Sequence, residues 1–494
     1  MSHNSTYFQE FHAFFERYRG YENMRVEDVF HELLIECEYL PKDQQELIKK
    51  AFDIANRAHA GQMRKSGAPY ISHPITIALM MIPYRPDGVL IAATLLHDTL
   101  EDTTMSHEEI EKMNPEVANI VEAVTKMRAE SLQDVTGFSA EQVKFETIRK
   151  ILIASQKDIR ILFLKIFDRL HNMITLDSRS PESQVRIAME TKSVYIPLAK
   201  RCGLREVYHL LQGTSMRVLE PEKWITVETF VQEKRSKMIE VSEQLKSYLA
   251  RLDWSKKIIT FDTEFISPFS VELNNTFIDN SWFAVQIVVN DTGDCYSILH
   301  DISKRQDENL MQAAKVSDLI NHPRLSGYSG IHTDVIFYGF QRIKVRIIPK
   351  TSYDKVIHYE TFEELGNRYL PVLFRDFDLI NEATISNSEA FMQSVTEHIL
   401  ARKIPLHSKS KPLFYLPVKS TALDAGIYLF PERFQTIVGI YRNDEKVPPH
   451  TVLENHDIIW IEFGETETLQ QNWLDIVHSD VSKWKIMQKL KETI

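Results

Sequence analysis

The sequence has few cysteines and no long apolar run, and each absence excludes a class of protein. Three cysteines, Cys37, Cys202 and Cys295, are spread over 494 residues, too widely for a disulfide framework or a cysteine zinc site. Residues 1–15 contain no basic stretch followed by an apolar core, so no signal peptide is expected. No apolar run approaches the length of a transmembrane helix. These absences predict a cytoplasmic protein of a reducing compartment that makes no membrane contact.

Positive charge is also in the minority. The chain has 58 basic and 69 acidic residues and a net charge of −11. Such a balance argues against general nucleic-acid binding, so a phosphate-rich ligand would have to meet a local basic patch. A hydrophobic content of 43% over 494 residues is sufficient for several domains, each with its own core.

One stretch, residues 58–102, concentrates side chains that can bind a metal or move a proton. They are His73, His97, Asp98, Glu101 and Asp102. Residues 89–96 are apolar, contain no Gly or Pro, and predict a buried helix. If that helix continues, Glu101 and Asp102 lie one turn beyond His97 and Asp98, at i,i+4 spacing.

A second segment, KIFDRLHNMITL (residues 165–176), places Asp168, Asn172 and Thr175 at i, i+4 and i+7, on one face of a predicted helix. A lone buried histidine or His-Asp pair is usually an ordinary core feature. Several ionisable residues beside an apolar helix are different, because unpaired burial is costly. Imidazoles with carboxylates suit a divalent ion such as Mn²⁺, with Fe, Co or Zn as alternatives. We therefore favour a metal site.

A basic loop, GQMRKSGAPY, lies just before His73 and carries Arg64 and Lys65. Guanidinium and ammonium groups at this position are suited to phosphate contacts. Residues 128–142 are polar and lack periodicity, which favours a loop over the site.

The periodicity divides the chain into parts of different class. Residues 1–215 read as an all-α domain. Residues 216–404 begin with a long polar helix over 227–252 and continue as mixed α/β, with strand-like 256–265, 282–291 and 333–349 and helices expected at 308–320 and 387–402. After a polar linker, residues 412–466 read as a small β-rich module and residues 467–494 as a basic C-terminal helix.

The segments HAGQMRKSGAPYISHP, LLHDTLEDT, KIFDRLHNMITL and ETKSVYIPLAKRCG, in this order, closely resemble the HD-type hydrolase domain of the RelA/SpoT homologues, which make and degrade the alarmone (p)ppGpp. The resemblance implies a metal-dependent 3′-pyrophosphohydrolase that releases GDP or GTP and pyrophosphate. It implies one Mn²⁺ held by His73, His97, Asp98 and Asp168. It implies proton transfer by Glu101 and Asp102, and contact with the guanine nucleotide by Arg64, Lys65, Asn172 and Thr175.

The middle domain resembles the family's synthetase less well. GDCYSILHDI and SGYSGIHTDV are similar to its fold-marking segments. Where the family has an acidic metal ligand and an Arg, this chain has Ser281 and Gln286, and Lys344 stands in place of a catalytic Glu. We expect a pseudo-synthetase without synthetase activity, serving a structural or regulatory role. Tyr328 and His332 match the family, which leaves nucleotide binding open.

Residues 412–466 resemble the TGS module that follows the synthetase in this family. A protein partner could bind this module or the pseudo-synthetase. Two other functions stay open: hydrolysis of another 3′-pyrophosphorylated nucleotide such as (p)ppApp, and non-catalytic alarmone binding. The adjacent Glu101 and Asp102 favour catalysis, because a binding protein needs neither.

Overall fold

The chain is described here from a computed structural model. It covers residues 7–126, 140–252, 257–265, 283–304, 310–312, 316–321, 328–338, 341–357, 360–368, 403–409, 414–455 and 457–492. They belong to two compact units, residues 1–128 with 157–368, and residues 129–156 with 369–494. Cys37, Cys202 and Cys295 are buried and free. Within the described ranges, every helix is too short or too polar to cross a bilayer.

The first unit begins with helices. They are α1 Tyr7–Gly20, α2 Val26–Glu36, α3 Lys42–Ala58, α4 Ser72–Met81, α5 Gly88–Leu96, α6 Thr99–Asp102, α7 His107–Met113 and α8 Pro115–Thr125. Helix α9, Ala140–Lys157, lies almost wholly in the second unit. The first unit continues with α10 Arg160–Ile174, α11 Pro181–Glu190, α12 Ile196–Arg201, α13 Arg205–Leu219 and α14 Pro221–Leu249. Up to residue 215, the described part has no strand beyond the single bridge Met63–Pro69, which agrees with the all-helical prediction.

Helix α5 is the apolar helix predicted from residues 89–96. The Asp87 side chain caps it by accepting a hydrogen bond from the Leu90 amide at 2.7 Å. At its first residue, the Gly88 amide donates to Gln44 Oε1 on α3 at 2.8 Å. A Cβ on Gly88 would lie 2.6 Å from the Gln44 Cβ, so the absence of a side chain permits this close approach. The two helices therefore pack tightly at the start of α5, and the other end of α5 leads to the His97-Asp98 pair.

The first unit also contains a mixed six-stranded sheet. Its strands are β1 Ile258–Phe265, β2 Phe283–Val289, β3 Leu310–Gln312, β4 Ser317–Asp318, β5 Ile331–Phe337 and β6 Gln341–Pro349. The order is β1-β2-β6-β5-β3, with β4 paired to β5, and only the β2–β6 pair is parallel. Helices in this region are α15 Thr292–Lys304, α16 Lys350–Ile357 and α17 at residues 362–368.

The helix predicted at 308–320 is wrong, because β3 and β4 lie in that range. Both are short strands that pair antiparallel with β5, and this tertiary pairing overrides the local helical preference. The helix predicted at 387–402 lies outside the described residues, as do residues 128–139 of the loop predicted at 128–142. Over residues 140–142 the loop prediction is wrong, because they form the first turn of helix α9.

The second unit has its own core around α18, Ala422–Leu429. Its strands are β7 Lys403–Leu406, β8 Phe414–Pro417, β9 Ile437–Arg442, β10 Glu445–Val447 and β11 Ile459–Phe463, and its last helices are α19 Trp473–Ile476 and α20 Asp480–Glu492. The predicted C-terminal helix is thus interrupted. The buried Asp424 carboxylate accepts hydrogen bonds from the amides of His478 and Ser479, at 2.9 and 3.1 Å, where the break occurs.

Candidate active site

The helix that leads to the His97-Asp98 pair does not continue through it. Helix α5 ends at Leu96, where a turn interrupts the predicted i,i+4 helix before α6 begins. The reason is local: His97 Nδ1 lies 2.8 Å from the Thr94 carbonyl and the Thr99 hydroxyl donates to the Leu96 carbonyl at 2.7 Å. These side chains hydrogen-bond to backbone carbonyls that would accept from backbone amides in a continuous helix.

Helical spacing nevertheless resumes at once. The Asp102 amide donates to the Asp98 carbonyl at 2.9 Å, and the Glu101 amide to the same carbonyl at 3.2 Å. Glu101 and Asp102, both half-buried, therefore still lie one turn from Asp98.

Four side chains from three separate segments converge on one point. His73 Nε2 lies 3.4 Å from Asp168 Oδ1 and 3.7 Å from Asp98 Oδ2, and His97 Nε2 lies 3.3 Å from Asp98 Oδ2. Ligand atoms of His73, His97 and Asp168 all lie within 4.8 Å of one another. Both histidines are buried. This arrangement brings together the four residues predicted to hold a metal.

The donor set fits a divalent cation. His97 Nδ1 faces a carbonyl, which only accepts, so Nδ1 carries the proton and Nε2 keeps its lone pair. That Nε2 is buried and makes no hydrogen bond to the described residues. His73 Nδ1 is held by His171 Nδ1 at 2.8 Å, which orients the His73 ring as an outer partner of a metal ligand does. A metal ion would satisfy both Nε2 atoms.

The protonation states favour cation binding. Burial, followed by the charge of Arg64, lowers the pKa of His73 to about 4. Burial alone would raise the pKa of Asp98, but the charges of His97 and His73 reverse this and lower it. The pKa of Asp168 is also held well below its ordinary value, because His73 and His97 outweigh burial. At neutral pH the site therefore presents a neutral His73 imidazole and ionised Asp98 and Asp168 carboxylates.

Tyr70 is a site residue that the sequence prediction did not include. Its hydroxyl lies 2.7 Å from Asp98 Oδ2 and 2.8 Å from Asp102 Oδ2, and its ring stacks on His59 with centroids 4.5 Å apart. Gln62 holds the Asp102 carbonyl at 2.7 Å. Burial and both carboxylates raise the pKa of Tyr70, so it keeps its proton. Its place three residues before His73, inside the quoted segment, was the available signal.

Three of the four predicted substrate residues touch one another. Arg64 Nη2 lies 3.3 Å from Thr175 Oγ1 and 3.5 Å from Asn172 Oδ1, and Asn172 in turn donates to Asp168 Oδ1 at 2.7 Å. Lys65 is exposed and makes no hydrogen bond or ion pair with the described residues. Arg64 also contacts Glu22, which the sequence prediction missed.

Comparison with known proteins places this geometry in context. Residues 51–205 match the family model described as an HD domain. The chain is 28% identical over 471 residues to the probable guanosine-3′,5′-bis(diphosphate) 3′-pyrophosphohydrolase of Synechocystis sp., covering 90% of this chain and 60% of that protein. It is 26% identical over 473 residues to the bifunctional (p)ppGpp synthase/hydrolase SpoT of Escherichia coli K12, covering 92% and 66%. The GTP pyrophosphokinase rsh of Brucella ovis is 26% identical over 479 residues, covering 92% and 62%.

The helical fold and its His/Asp cluster define a protein with an HD domain. The similarity to these relatives also extends over 90% or more of this chain, so it resembles the RelA/SpoT homologues along almost its whole length. It spans about three fifths to two thirds of the length of these relatives.

Proposed function

We propose that this chain is a Mn²⁺-dependent (p)ppGpp 3′-pyrophosphohydrolase, which breaks the bond between the 3′ oxygen and its diphosphate and releases GDP or GTP and pyrophosphate. The observation that carries the proposal is the convergence of His73, His97, Asp98 and Asp168, with the buried Nε2 of His97 left without a hydrogen bond. The substrate is proposed from the relatives, two of which are named for an activity on this nucleotide.

The four residues would hold the metal, which supplies Lewis-acid activation of water and of a phosphoryl oxygen. Glu101 and Asp102 stand one turn from Asp98, at the edge of the cluster. A half-buried carboxylate at this position can accept the proton of the attacking water and return a proton to the leaving 3′ oxygen. Tyr70 holds Asp102 beside Asp98. Arg64, Asn172 and Thr175 would orient the nucleotide, with Lys65 at the exposed end of the same loop.

We also propose that residues 216–404 lack synthetase activity. Gln286 is buried on β2, in register with Asp262 on β1 and Arg346 on β6. Lys344 on β6 is in register with Asp334 on β5. Gln286 stands where the family has an Arg, and Lys344 where it has a catalytic Glu. A cation in place of this carboxylate disfavours a reaction that needs bound Mg²⁺. Ser281 lies outside the described residues. The chain should make no alarmone from ATP and GDP.

The remaining parts have proposed structural or partner-binding roles. Residues 412–466, which resemble a TGS module, are the proposed site for a protein partner, with the pseudo-synthetase as the second candidate. The division into 1–215, 216–404, 412–466 and 467–494 remains our proposal for the functional domains.

The test is a hydrolysis assay of the purified chain with Mn²⁺, in which ppGpp and ppApp are compared side by side. We expect release of pyrophosphate and GDP from ppGpp. Faster hydrolysis of ppApp would support the proposed reaction but would identify an adenine nucleotide as the substrate. If neither nucleotide is hydrolysed while ppGpp still binds, the chain is an alarmone-binding regulator and the proposal that it is an enzyme is wrong.

A further inference from the structure

Arg179 is fixed at the junction between α10, which contains the proposed ligand Asp168, and α11. It comes directly after the 3-10 turn Leu176–Ser178, which continues from Thr175. Its amide donates to the Leu176 carbonyl at 3.1 Å, and its carbonyl accepts from the Gln184 side chain at 2.9 Å. The backbone of Arg179 is therefore held from both sides, and the side chain is half-buried.

The guanidinium of Arg179 makes no hydrogen bond or ion pair with any residue in the described part of the chain. Its cationic neighbours differ in this respect. Arg64 lies 3.4 Å from Glu22, and Arg169 lies 3.0 Å from Glu190. Burial, then the charges of Arg64, Arg169 and Arg186, lowers the pKa of Arg179. Arg179 is thus a half-buried cation among other cations, without a carboxylate bound to it.

Such a group is unfavourable by itself and becomes favourable when an anion binds. A guanidinium that is partly desolvated and has no partner is well suited to bidentate contact with a phosphate. The same charge would attract a multiply charged nucleotide toward the site.

The position along the chain indicates which phosphate would be bound. Thr175, the C-terminal cap of α10, is seven residues beyond Asp168, a rise of about 10 Å, and Arg179 comes after the 3-10 turn that follows Thr175. Arg179 is therefore eleven residues beyond Asp168 along the chain and is not one of the clustered ligands, although the Asp168 charge still acts on it. If the substrate is the one proposed above, its 3′-diphosphate must reach His73 and Asp168, and its other phosphates must lie elsewhere. We infer that Arg179 binds the 5′-phosphates of the substrate, an inference that rests on the proposed function.

The experiment compares Arg179→Gln with the wild type on two substrates, ppGpp and guanosine 3′-diphosphate, which has no 5′-phosphate. We expect the substitution to raise the KM for ppGpp about tenfold or more and to leave kcat within about twofold, because it removes a binding contact and no proton-transfer group. The KM for guanosine 3′-diphosphate should stay within about twofold. An equal loss with both substrates, or no loss with either, would overturn the inference.

Arg186→Gln is the matched control, because Arg186 is exposed, lies in the same cationic neighbourhood and makes no ion pair with the described residues. It should change the KM for neither substrate. Arg179→Lys, which keeps the charge, should recover part of the affinity for ppGpp. This recovery would distinguish binding from a folding defect.

A second experiment measures binding of the nucleotide and does not depend on turnover. Calorimetric titration of ppGpp into the full chain in EDTA should show weaker binding by Arg179→Gln, and unchanged binding would contradict the inference. If the wild type hydrolyses neither substrate, the proposed function fails, while this experiment still decides whether Arg179 binds the 5′-phosphates.

Discussion

Arg64 Nε lies 3.4 Å from Glu22 Oε1, and the two side chains are only 11% and 7% exposed. The Glu22 oxygen is buried and makes no hydrogen bond to the described residues. It contacts Nε while Thr175 is contacted by Nη2, so it restrains the guanidinium and offsets part of its charge. Glu22 thus connects the N-terminal segment to the proposed substrate site.

We predict that Glu22→Gln weakens substrate binding and spares the chemical step. Loss of the ion pair should raise the KM for ppGpp about fivefold and leave kcat within about twofold, because Arg64 would be less well oriented. Steady-state kinetics measure both. Asp177→Asn, which removes an exposed ion pair with Arg19, is the control and should change neither value. In an Arg64→Ala background, Glu22→Gln should have no further effect; an additive loss would mean that Glu22 acts by another route.

Tyr70→Phe should lower kcat more than it changes binding. The substitution removes the hydroxyl that lies between Asp98 and Asp102 and keeps the ring that stacks on His59. We expect kcat to fall about 10- to 100-fold at saturating Mn²⁺, as for other outer partners of metal sites, with little change in KM. Tyr39→Phe is the control, because its hydroxyl donates to the Pro86 carbonyl, away from the site. A wild-type kcat in Tyr70→Phe would remove Tyr70 from the mechanism.

Asp168→Asn should lose metal and activity together. The amide keeps the shape of the side chain and removes the negative charge that lies 3.4 Å from His73 Nε2. We expect the affinity for Mn²⁺ to fall more than about 100-fold, beyond the loss typical of an outer partner. Equilibrium dialysis with Mn²⁺ measures binding without turnover, and Asp177→Asn should behave as the wild type. Asp98→Ala should show the same loss; activity retained in either variant would contradict the metal assignment.

The metal-free chain should become less stable between pH 7 and pH 5. The pKa of His73 is about 4 in the folded chain and 6.5 in the unfolded chain, because burial disfavours the charged ring. The unfolded chain therefore binds more protons in this window, so the contribution is complete above 6.5 and is lost as the pH falls toward 4. For His73 alone the loss of unfolding free energy at pH 5 is about 2 kcal/mol. His171, whose pKa burial also lowers, adds to it in the same direction.

Urea unfolding in EDTA at both pH values measures this loss. His73→Ala should reduce the difference between the two pH values, whereas His31→Ala, at an exposed position on α2, should keep it. An undiminished difference in His73→Ala would assign the pH dependence to other groups.

The sequence predicted the parts of the site that depend on short spacing. Asp168, Asn172 and Thr175 share a face because two successive helix turns fix their separation. The contacts of Tyr70 and Glu22 join segments far apart in the chain, and helix periodicity contains no information about such pairs. The excess of positive charge around Arg179 could not be predicted for the same reason, because it depends on which carboxylates form ion pairs with the neighbouring arginines in the folded chain. The strands at 310–312 and 317–318 became visible only through their pairing with β5.

The contact between Gly88 and Gln44 has a consequence for which substitutions the chain can accept. Gly88 touches none of the four proposed ligands, yet even one methyl group there would press on the Gln44 Cβ and push α5 away from α3. The shift would carry the ends of α5, and with them His97 and Asp98, out of alignment with His73 and Asp168. A search for inactive variants should therefore recover substitutions of Gly88 as well as substitutions of the ligands themselves.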